Sequence, residues 1–264
     1  MPELAEVEYF RKQWNPGLGQ KIRSVSLHAD KRIFRGSDTS QMEKALPGST
    51  LLESSASGKQ MVFRFSKNFW LGIHLGMTGA MRVEKPDFLP AKHDHLVLFQ
   101  KQRALVFADM RHFGRVRFAQ TKAAPDWWAA IPPALSSEAF TLEIMESFLQ
   151  RHRKLPIKPA LLLQNGFPGV GNWMADEILW RAELNPHTPS GNIKGKDSKA
   201  LWKQVRFVCR EAIKHVSEAY ADLPKGWLFN ERWNNKGVCP KHNTPLKRET
   251  IGGRTTAWCS KCQK

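Results

Sequence analysis

The stretch KPALLLQNGFPGVGNWMADEIL, residues 158–179, contains two apolar helical patterns joined by a glycine-rich turn. Pro159 stands early in the first helix, where a missing N–H is tolerated, and Asn172 is placed to cap the second. The turn at 166–172 lets backbone amides approach a ligand closely, at the positive end of the second helix dipole. It predicts an anion site suited to a DNA phosphate, although an ordinary corner between two helices explains the same glycines.

Helical patterns continue on both sides of this stretch. Residues 141–152, 172–184 and 197–220 carry apolar side chains three or four positions apart. Residues 121–138 hold three prolines and break the pattern, which indicates a linker. The sequence therefore predicts a helical bundle at 139–225, preceded by a linker.

The first 120 residues have a different periodicity. After an opening helical segment, stretches such as QMVFRF, HLVLF and RVRFAQ are short, rich in β-branched and aromatic residues, and separated by turn residues. Their period of two is typical of strands with one buried face. Residues 1–120 are therefore predicted to form a β-sandwich or barrel.

Charge and composition narrow the class of partner. The 264 residues include 41 Lys and Arg against 24 Asp and Glu, a formal net charge of +17 spread along the chain. Such an excess predicts a folded polyanion binder, although ribosomal and some membrane-surface proteins share it. No apolar run is long enough for a membrane span, and the start MPELAEVEYF is too acidic for a signal peptide. We expect a soluble protein of the cytoplasm or nucleoid.

The tail at 226–264 is basic and short of core residues, so it needs another source of stability. Its metal-ligand candidates form two pairs with sixteen residues between them: Cys239 and His242, then Cys259 and Cys262. This spacing is typical of tetrahedral zinc, and four protein ligands leave no position for substrate. We expect one structural Zn²⁺ that holds a two-stranded loop, with an accidental cluster as the alternative. Arg254, near the tip of that loop, is the side chain expected to contact DNA.

The N-terminus offers a second chemical feature. Removal of Met1 would leave Pro2 as a secondary amine, which can attack an aldehyde-level carbon. An α-amino group titrates near pH ~8, so a useful fraction is unprotonated at neutral pH. Glu3 could then move protons. The alternative is that Pro2 and Glu3 are simply good helix-starting residues.

Together these motifs resemble the formamidopyrimidine-DNA glycosylase and endonuclease VIII family. The resemblance rests on PELAEVE at the start, then GK in SASGKQMVF, HLGMTGAMR, KHDH, DMRHFG, the stretch at 158–179 and the terminal CSKCQK, in that order along the chain. It implies an α+β multidomain fold: an N-terminal β-sandwich with flanking helices, a helix-two-turns-helix domain and a C-terminal zinc-finger hairpin. It also implies a bifunctional glycosylase and lyase that binds damaged double-stranded DNA, and we expect a monomer.

The resemblance implies a role for each matching residue. Pro2 is similar to the nucleophile that attacks C1′ of the damaged nucleotide, and Glu3 to the acid/base group at the sugar, supported by Glu6. Lys59 is similar to a second catalytic and phosphate-binding base. A Schiff base would form on loss of the base, and elimination would then cut the strand on both sides of the sugar.

The resemblance also implies a set of DNA contacts. His74 matches a phosphate-contacting position, with a structural histidine as the alternative. Met77, Arg111 and Phe113 match the side chains that fill the gap when the lesion is flipped out; without the resemblance, core packing would explain Met77 and Phe113 better. Asn172 and Arg254 match residues of the family that contact phosphates.

Three residues depart from the family pattern: Ala5 replaces a proline, His112 an arginine and His242 a cysteine. The segment between the last long helix and the tail cysteines is short and lacks a glycine-threonine-rich stretch. The loop that covers the lesion is therefore expected to be different or absent, which leaves the excised base open. A tyrosine of the family has no clear counterpart, with Arg232 and Trp233 nearest.

Two other classes of function stay open at this point. One is a catalytically silent protein that binds damaged DNA, and a retained Met1 would favour it. The other is a basic zinc-ribbon RNA-binding protein, which leaves the N-terminal motif unexplained.

Overall fold

The computed structural model describes all residues, 1–264, and divides them into two compact units. The first unit comprises residues 1–2 and 6–131, and the second comprises residues 3–5 and 132–264. The predicted boundaries near residues 120, 138 and 225 stay a prediction, because this two-way division does not test them.

Eight strands of the first unit form two four-stranded antiparallel sheets. They are β1 (Ser24–Leu27), β2 (Leu51–Ser57), β3 (Gln60–Phe65), β4 (Phe69–His74), β5 (Ala80–Glu84), β6 (Asp94–Phe99), β7 (Ala104–Ala108) and β8 (Arg115–Gln120). One sheet has the order β1-β6-β7-β5, and the other has the order β2-β3-β4-β8. The two sheets with their flanking helices α1 (Leu4–Lys12) and α2 (Thr39–Ala45) confirm the expected β-sandwich.

The sandwich forms because alternate residues of its strands are apolar. Phe63 and Phe65 of β3 and Leu71 and Ile73 of β4 are fully buried, in one cluster with residues of the other sheet such as Phe107. Side chains on one strand face alternate directions, so these residues share the inner face. Burial of one large apolar side chain contributes about 1.5–3 kcal/mol, which makes this cluster the main source of stability of the unit.

The predicted linker is ordered and holds a short helix, α3 (Asp126–Ala129). Trp127 covers Gly72 of β4 so closely that a Cβ there would lie 2.6 Å from its ring. The proline-rich segment therefore packs on the outer side of a strand of the sandwich.

The second unit is mainly helical and ends in a hairpin. Its helices are α4 (Leu142–Arg151), α5 (Ile157–Leu161), α6 (Asn172–Arg181), α7 (Lys196–Ala219) and α8 (Leu228–Glu231), and its strands are β9 (Lys247–Ile251) and β10 (Arg254–Trp258). α7 buries a stripe at helical spacing that includes Leu201, Val205, Val208 and Ala212. None of the eight α-helices is both long and apolar enough to cross a membrane.

The start of α6 differs from the expectation in one detail. Gly171 is the N-cap residue, and Asn172 is already the first helical residue, without a side-chain cap. The expected cap at Asn172 is therefore wrong. The physical reason is that the first amides of α6 are satisfied by a side chain from elsewhere in the second unit.

Candidate nucleic-acid interface and metal centre

The side chain at the start of α6 is Glu3. Its Oε1 accepts a hydrogen bond from Trp173 N and its Oε2 accepts one from Met174 N, both at 3.1 Å. Glu3 is 4% exposed, so a buried carboxylate meets the positive end of the helix dipole. A Cβ on Gly171 would lie 2.1 Å from Glu3 Cδ, so only glycine leaves room for this contact. The anion at these two amides is therefore internal, not the DNA phosphate that the glycine-rich turn suggested.

The turn before α6 is tied down in the same way. Leu4 N donates to Gly169 O at 3.0 Å, and Gly169 N donates to Gln164 Oε1 at 3.0 Å. The first bond holds Leu4 against the turn, and the second fixes the turn itself. The glycines therefore allow the turn to lie close to the N-terminal segment of the chain.

Asn172 lies next to the C-terminal hairpin. Its Nδ2 donates to Thr255 O at 2.8 Å, and its Oδ1 is buried without a hydrogen-bond partner. Arg254, one residue earlier on β10, is exposed. The structure therefore brings together the two residues of this unit that were expected to contact phosphate, and the second hydrogen of the Asn172 amide remains for a ligand.

A buried charge network joins α6 to the hairpin. Asp176 Oδ1 accepts from the Lys158 ammonium, and its Oδ2 accepts from Arg232 Nη2 at 2.7 Å and from Ala257 N at 3.2 Å. Lys158 Nζ also donates to Asn172 O at 2.8 Å. Burial lowers the pKa of Lys158, while the charge of Asp176 acts against that shift. The network fixes the hairpin beside the start of α6.

Arg232 is 3% exposed in this network, so it is not available to DNA in the place of the missing tyrosine. Trp233 beside it is 60% exposed. Sequence reasoning missed the roles of Lys158, Asp176 and Arg232. The available signal was a charged residue, Asp176, inside the apolar helix NWMADEILW.

The four predicted metal ligands form one cluster. One ligand atom each of Cys239, His242, Cys259 and Cys262 lies within 4.8 Å of the other three. Trp180 Nε1 lies 3.3 Å from Cys239 Sγ, in position to donate to a thiolate. Three thiolates and one imidazole suit a closed tetrahedral site. The cluster can hold a metal ion at the base of the β9–β10 hairpin.

In the first unit, His74 and Lys59 lie close in the fold. Lys59 is in the two-residue turn between β2 and β3, and Gln60 at the start of β3 pairs with His74 at the end of β4. His74 Nδ1 accepts from Gly76 N at 3.0 Å, which leaves Nε2–H to donate. Burial, followed by the charges of Lys59, Arg35 and Arg117, lowers the pKa of His74 to about 4. His74 is therefore a neutral donor at neutral pH.

The loops after β4 and β7 present exposed apolar and planar side chains. Met77 is 41% exposed and Phe113 is 43% exposed, which excludes core packing for both. The Arg111 guanidinium lies 4.7 Å from the centre of the Phe113 ring. Met110, which sequence reasoning missed, is 69% exposed. These side chains form a surface that could enter a base stack.

Asp109 holds this loop in shape. Its Oδ1 accepts from Thr78 Oγ1 at 2.7 Å and from Arg111 N at 3.2 Å, and its Oδ2 accepts from Gly114 N at 2.7 Å. Asp109 is fully buried. One carboxylate thus supports the presentation of the side chains around it, a role that no sequence pattern had indicated.

Two family models match the chain. The formamidopyrimidine-DNA glycosylase N-terminal domain matches residues 1–116, and the formamidopyrimidine-DNA glycosylase H2TH domain matches residues 131–221. The chain belongs to the formamidopyrimidine-DNA glycosylase family. This is a family of DNA glycosylases of base excision repair, and the membership confirms the resemblance seen in the sequence.

Similar proteins extend over the whole chain. A formamidopyrimidine-DNA glycosylase of Thermus thermophilus is 33% identical over 277 residues, covering 100% of this chain and 98% of the relative. One of Xanthomonas axonopodis pv. citri is 32% identical over 274 residues, covering 100% of both. A solved structure of Lactococcus lactis Fpg with DNA that contains an oxidised pyrimidine has a TM-score of 0.89 at 28% identity, covering 100% of both chains.

The structure shows where the three residues that depart from the family pattern lie in this member of the formamidopyrimidine-DNA glycosylase family. Ala5 is fully buried in the helical core of the second unit. His242 is a member of the metal-ligand cluster. His112 lies in the loop after β7 with φ 55°, a left-handed conformation that histidine tolerates better than most residues.

Proposed function

We propose that this chain is a bifunctional DNA glycosylase and lyase that excises a damaged base and cuts the strand by β,δ-elimination. The observation that carries the proposal is the position of Glu3. Its buried carboxylate is held by Trp173 N and Met174 N, so the residue that follows Pro2 has a fixed place. A fixed acid/base group adjacent in the chain to an amine nucleophile suits chemistry at a sugar carbon.

In the proposed mechanism the Pro2 nitrogen bonds to C1′ while the bond to the damaged base breaks. The amine passes its proton to the Glu3 carboxylate, and Glu3 passes it on to O4′ as the sugar ring opens. An iminium ion then links Pro2 to C1′, and the base leaves as an anion that takes a proton from water. Loss of a C2′ proton expels the 3′ phosphate, a second elimination expels the 5′ phosphate, and water releases Pro2. Lys59 supplies a cation and a second acid/base group, and Glu6 supports Glu3.

The proposed DNA contacts divide between the two units. His74 donates Nε2–H to a phosphate, while Met77, Arg111 and Phe113 fill the space that the flipped nucleotide leaves. Asn172 and Arg254 contact phosphates from the second unit. The exposure of Met77 and Phe113 and the stacking of Arg111 on Phe113 support this assignment.

The proposed cofactor is one structural Zn²⁺ bound by Cys239, His242, Cys259 and Cys262. Four protein ligands leave no open coordination position, so the ion would stabilise the hairpin and take no part in the reaction. The hairpin carries Arg254, and its strands are only five residues each, so they depend on such support.

We further propose that the substrate is an oxidised base in double-stranded DNA and that the protein acts as a monomer in the cytoplasm, at the nucleoid. The solved neighbours include Lactococcus lactis Fpg bound to DNA with an oxidised pyrimidine and to DNA with N7-benzyl-Fapy-dG. The choice between purines and pyrimidines depends on the short segment before Cys239, where we expect the lesion-covering loop of the family to be different or absent.

The test is borohydride trapping on two duplexes, one with an abasic site and one with an oxidised base. The wild-type protein, its N-terminus defined by mass spectrometry, should form a covalent adduct on both. A protein that retains Met1, and so has no proline amine, should form none on either. Glu3→Gln should bind both duplexes and be trapped at least tenfold more slowly.

The outcomes separate the candidate functions. An adduct on the abasic duplex alone would reduce the activity to that of a lyase. No adduct from a chain that starts at Pro2 would contradict the enzymatic proposal and favour a protein that only binds damaged DNA.

A further inference from the structure

Three histidines lie together in the first unit and have no part in the proposed reaction. One ring nitrogen each of His93, His95 and His112 lies within 4.8 Å of the other two. The ring centres of His95 and His112 are 4.7 Å apart. Ring nitrogens of three imidazoles at such distances need small side-chain rotations to reach ~3.3 Å, the separation of two nitrogens around one tetrahedral ion.

The backbone directs these side chains to one place. The register between β6 and β7 shifts between Asp94 and Leu96, so His95 is the extra residue of a β-bulge. A bulge changes the direction of a side chain and is frequent beside functional sites. His112 has φ 55°, a conformation that is uncommon for a side chain other than glycine and that a loop keeps only under constraint.

The hydrogen bonds of His95 fix its tautomer, and Nδ1 is the nitrogen whose lone pair a ligand could take from His28. His95 Nε2 lies 2.9 Å from Asp109 O, and a carbonyl only accepts, so the proton is on Nε2 and the lone pair is on Nδ1. An imidazole that donates to a backbone carbonyl while its other nitrogen binds metal is the usual arrangement in metal sites. His28 Nδ1 lies 3.0 Å from His95 Nδ1, so His28 donates to this lone pair.

His93 supplies an independent observation. Its Nδ1 is buried and has no hydrogen-bond partner. A buried polar atom without a partner costs about 1–3 kcal/mol, so such an atom usually has a partner, and a metal ion can be that partner. His95 is fully buried as well.

The geometry points to a second metal site, formed by His93, His95 and His112 with His28 behind them, that takes a divalent ion of borderline softness such as Zn²⁺. Three imidazoles without a thiolate suit Zn²⁺, Ni²⁺ and Cu²⁺ and disfavour Mg²⁺ and Ca²⁺. On binding, His28 turns its Nδ1–H away from His95, and the His95 lone pair goes to the ion.

The ion would sit at the base of the loop that presents Arg111 and Phe113. His112 lies between these two residues, and Asp109 accepts from His95 through its backbone and from Arg111 N and Gly114 N through its side chain. An ion held by His112 and His95 would therefore restrict the loop. An effect on DNA binding rests on the proposed function, and the count of this ion as a second equivalent rests on the proposed zinc at the Cys239 cluster. Binding of the ion by the three histidines rests on neither.

The experiment measures zinc stoichiometry and affinity by calorimetry and elemental analysis, on full-length protein that already holds one equivalent of Zn²⁺. The wild type should take up a second equivalent. His112→Asn keeps a residue that tolerates the left-handed conformation, and it should weaken this second equivalent at least tenfold, as should His93→Gln. The control His215→Gln, on α7, should bind as the wild type does, and Mg²⁺ should not compete.

Two results would overturn the proposal. One is a wild type that stays at one equivalent of Zn²⁺ up to 100 µM free zinc, on the order of the weaker physiological metal affinities. The other is a second equivalent that survives in both His112→Asn and His93→Gln, with unfolding curves like that of the wild type. Neither result depends on trapping of DNA, so failure here is distinguishable from failure of the glycosylase proposal.

Discussion

Glu3 shows how one side chain can serve two functions. Its carboxylate satisfies two backbone donors at the start of α6, and the peptide that carries it begins with Pro2. Removal of the acceptor of a buried N–H group lowers the free energy of unfolding by about 1–3 kcal/mol for each group. The stability of the second unit and the position of an acid/base group are therefore linked at this residue.

Gly171→Ala tests this link. The new Cβ would lie 2.1 Å from Glu3 Cδ, so the carboxylate must leave Trp173 N and Met174 N. We expect the free energy of unfolding to fall by about 1–3 kcal/mol and trapping on DNA to slow at least tenfold. Urea unfolding and borohydride trapping measure the two effects.

A double-mutant cycle supplies the control for that variant. Glu3→Ala leaves room for the added methyl group, so Gly171→Ala should do little further damage in that background. Equal damage in both backgrounds would show that Gly171 acts independently of Glu3.

His74 predicts a pH dependence of stability. Its pKa is about 4 in the folded protein against 6.5 for a free side chain, so the unfolded chain binds the proton more tightly. The contribution of His74 is complete above pH 6.5 and is lost as the pH falls toward 4. His74→Asn, which keeps an acceptor for Gly76 N, should reduce the loss of stability over this range by roughly 1–3 kcal/mol. Thermal unfolding of both proteins from pH 7 to 4 measures it, and parallel curves would contradict the assignment.

At the level of elements, α6 organises the second unit. Its N-terminus receives Glu3, and one turn later Asp176 joins α5 and the hairpin through Lys158, Arg232 and Ala257 N. A buried ion pair adds little net stability compared with apolar residues in the same place. Loss of one partner, however, strongly destabilises the folded protein, because the other charge stays buried without compensation. The network therefore acts mainly to specify where the hairpin packs.

Asp176→Asn breaks this network while keeping the shape of the side chain. Lys158 and Arg232 would stay buried without their counter-charge, so we expect a loss of about 3–5 kcal/mol in the free energy of unfolding. Limited proteolysis should also cut residues 239–264 faster. The matched control is Glu53→Gln, which removes the exposed ion pair with Arg64 and should change little. Similar effects of the two variants would contradict the role assigned to Asp176.

The sequence predicted the strands and the metal-ligand cluster better than it predicted contacts between residues far apart in the chain. Period-two alternation located the strands of the sandwich, and ligand spacing located the metal cluster, because both signals are local. The Asp176 network and the anchor of Glu3 could not be predicted, since each joins residues that are far apart in the chain. The exposure of Met77 and Phe113 also had to be seen in the structure, because a strand-rich segment usually buries such residues.

At the scale of the whole molecule, the charge of +17 predicts how DNA binding responds to salt. The logarithm of the binding constant should fall linearly with the logarithm of the salt concentration, with a slope near −0.9 per phosphate contact. Arg254→Ala should reduce the magnitude of that slope by about 1. Arg210→Ala is the control, because Arg210 lies beside Glu211 on α7 and has no proposed contact. Fluorescence anisotropy at several salt concentrations measures the slope for both variants. An unchanged slope for Arg254→Ala would show that Arg254 does not contact a phosphate.

The assignment of residues 3–5 to the second unit has a practical consequence for dissecting the protein. A fragment that starts at residue 132 contains every helix from α4 to α8 yet lacks the carboxylate that binds Trp173 N and Met174 N, and it lacks the partner of Gly169 O. Such a fragment should recover stability when a short synthetic peptide with the sequence of the first residues is added in trans. Fragment complementation of this kind would turn the start of the chain into a soluble ligand of its own C-terminal half.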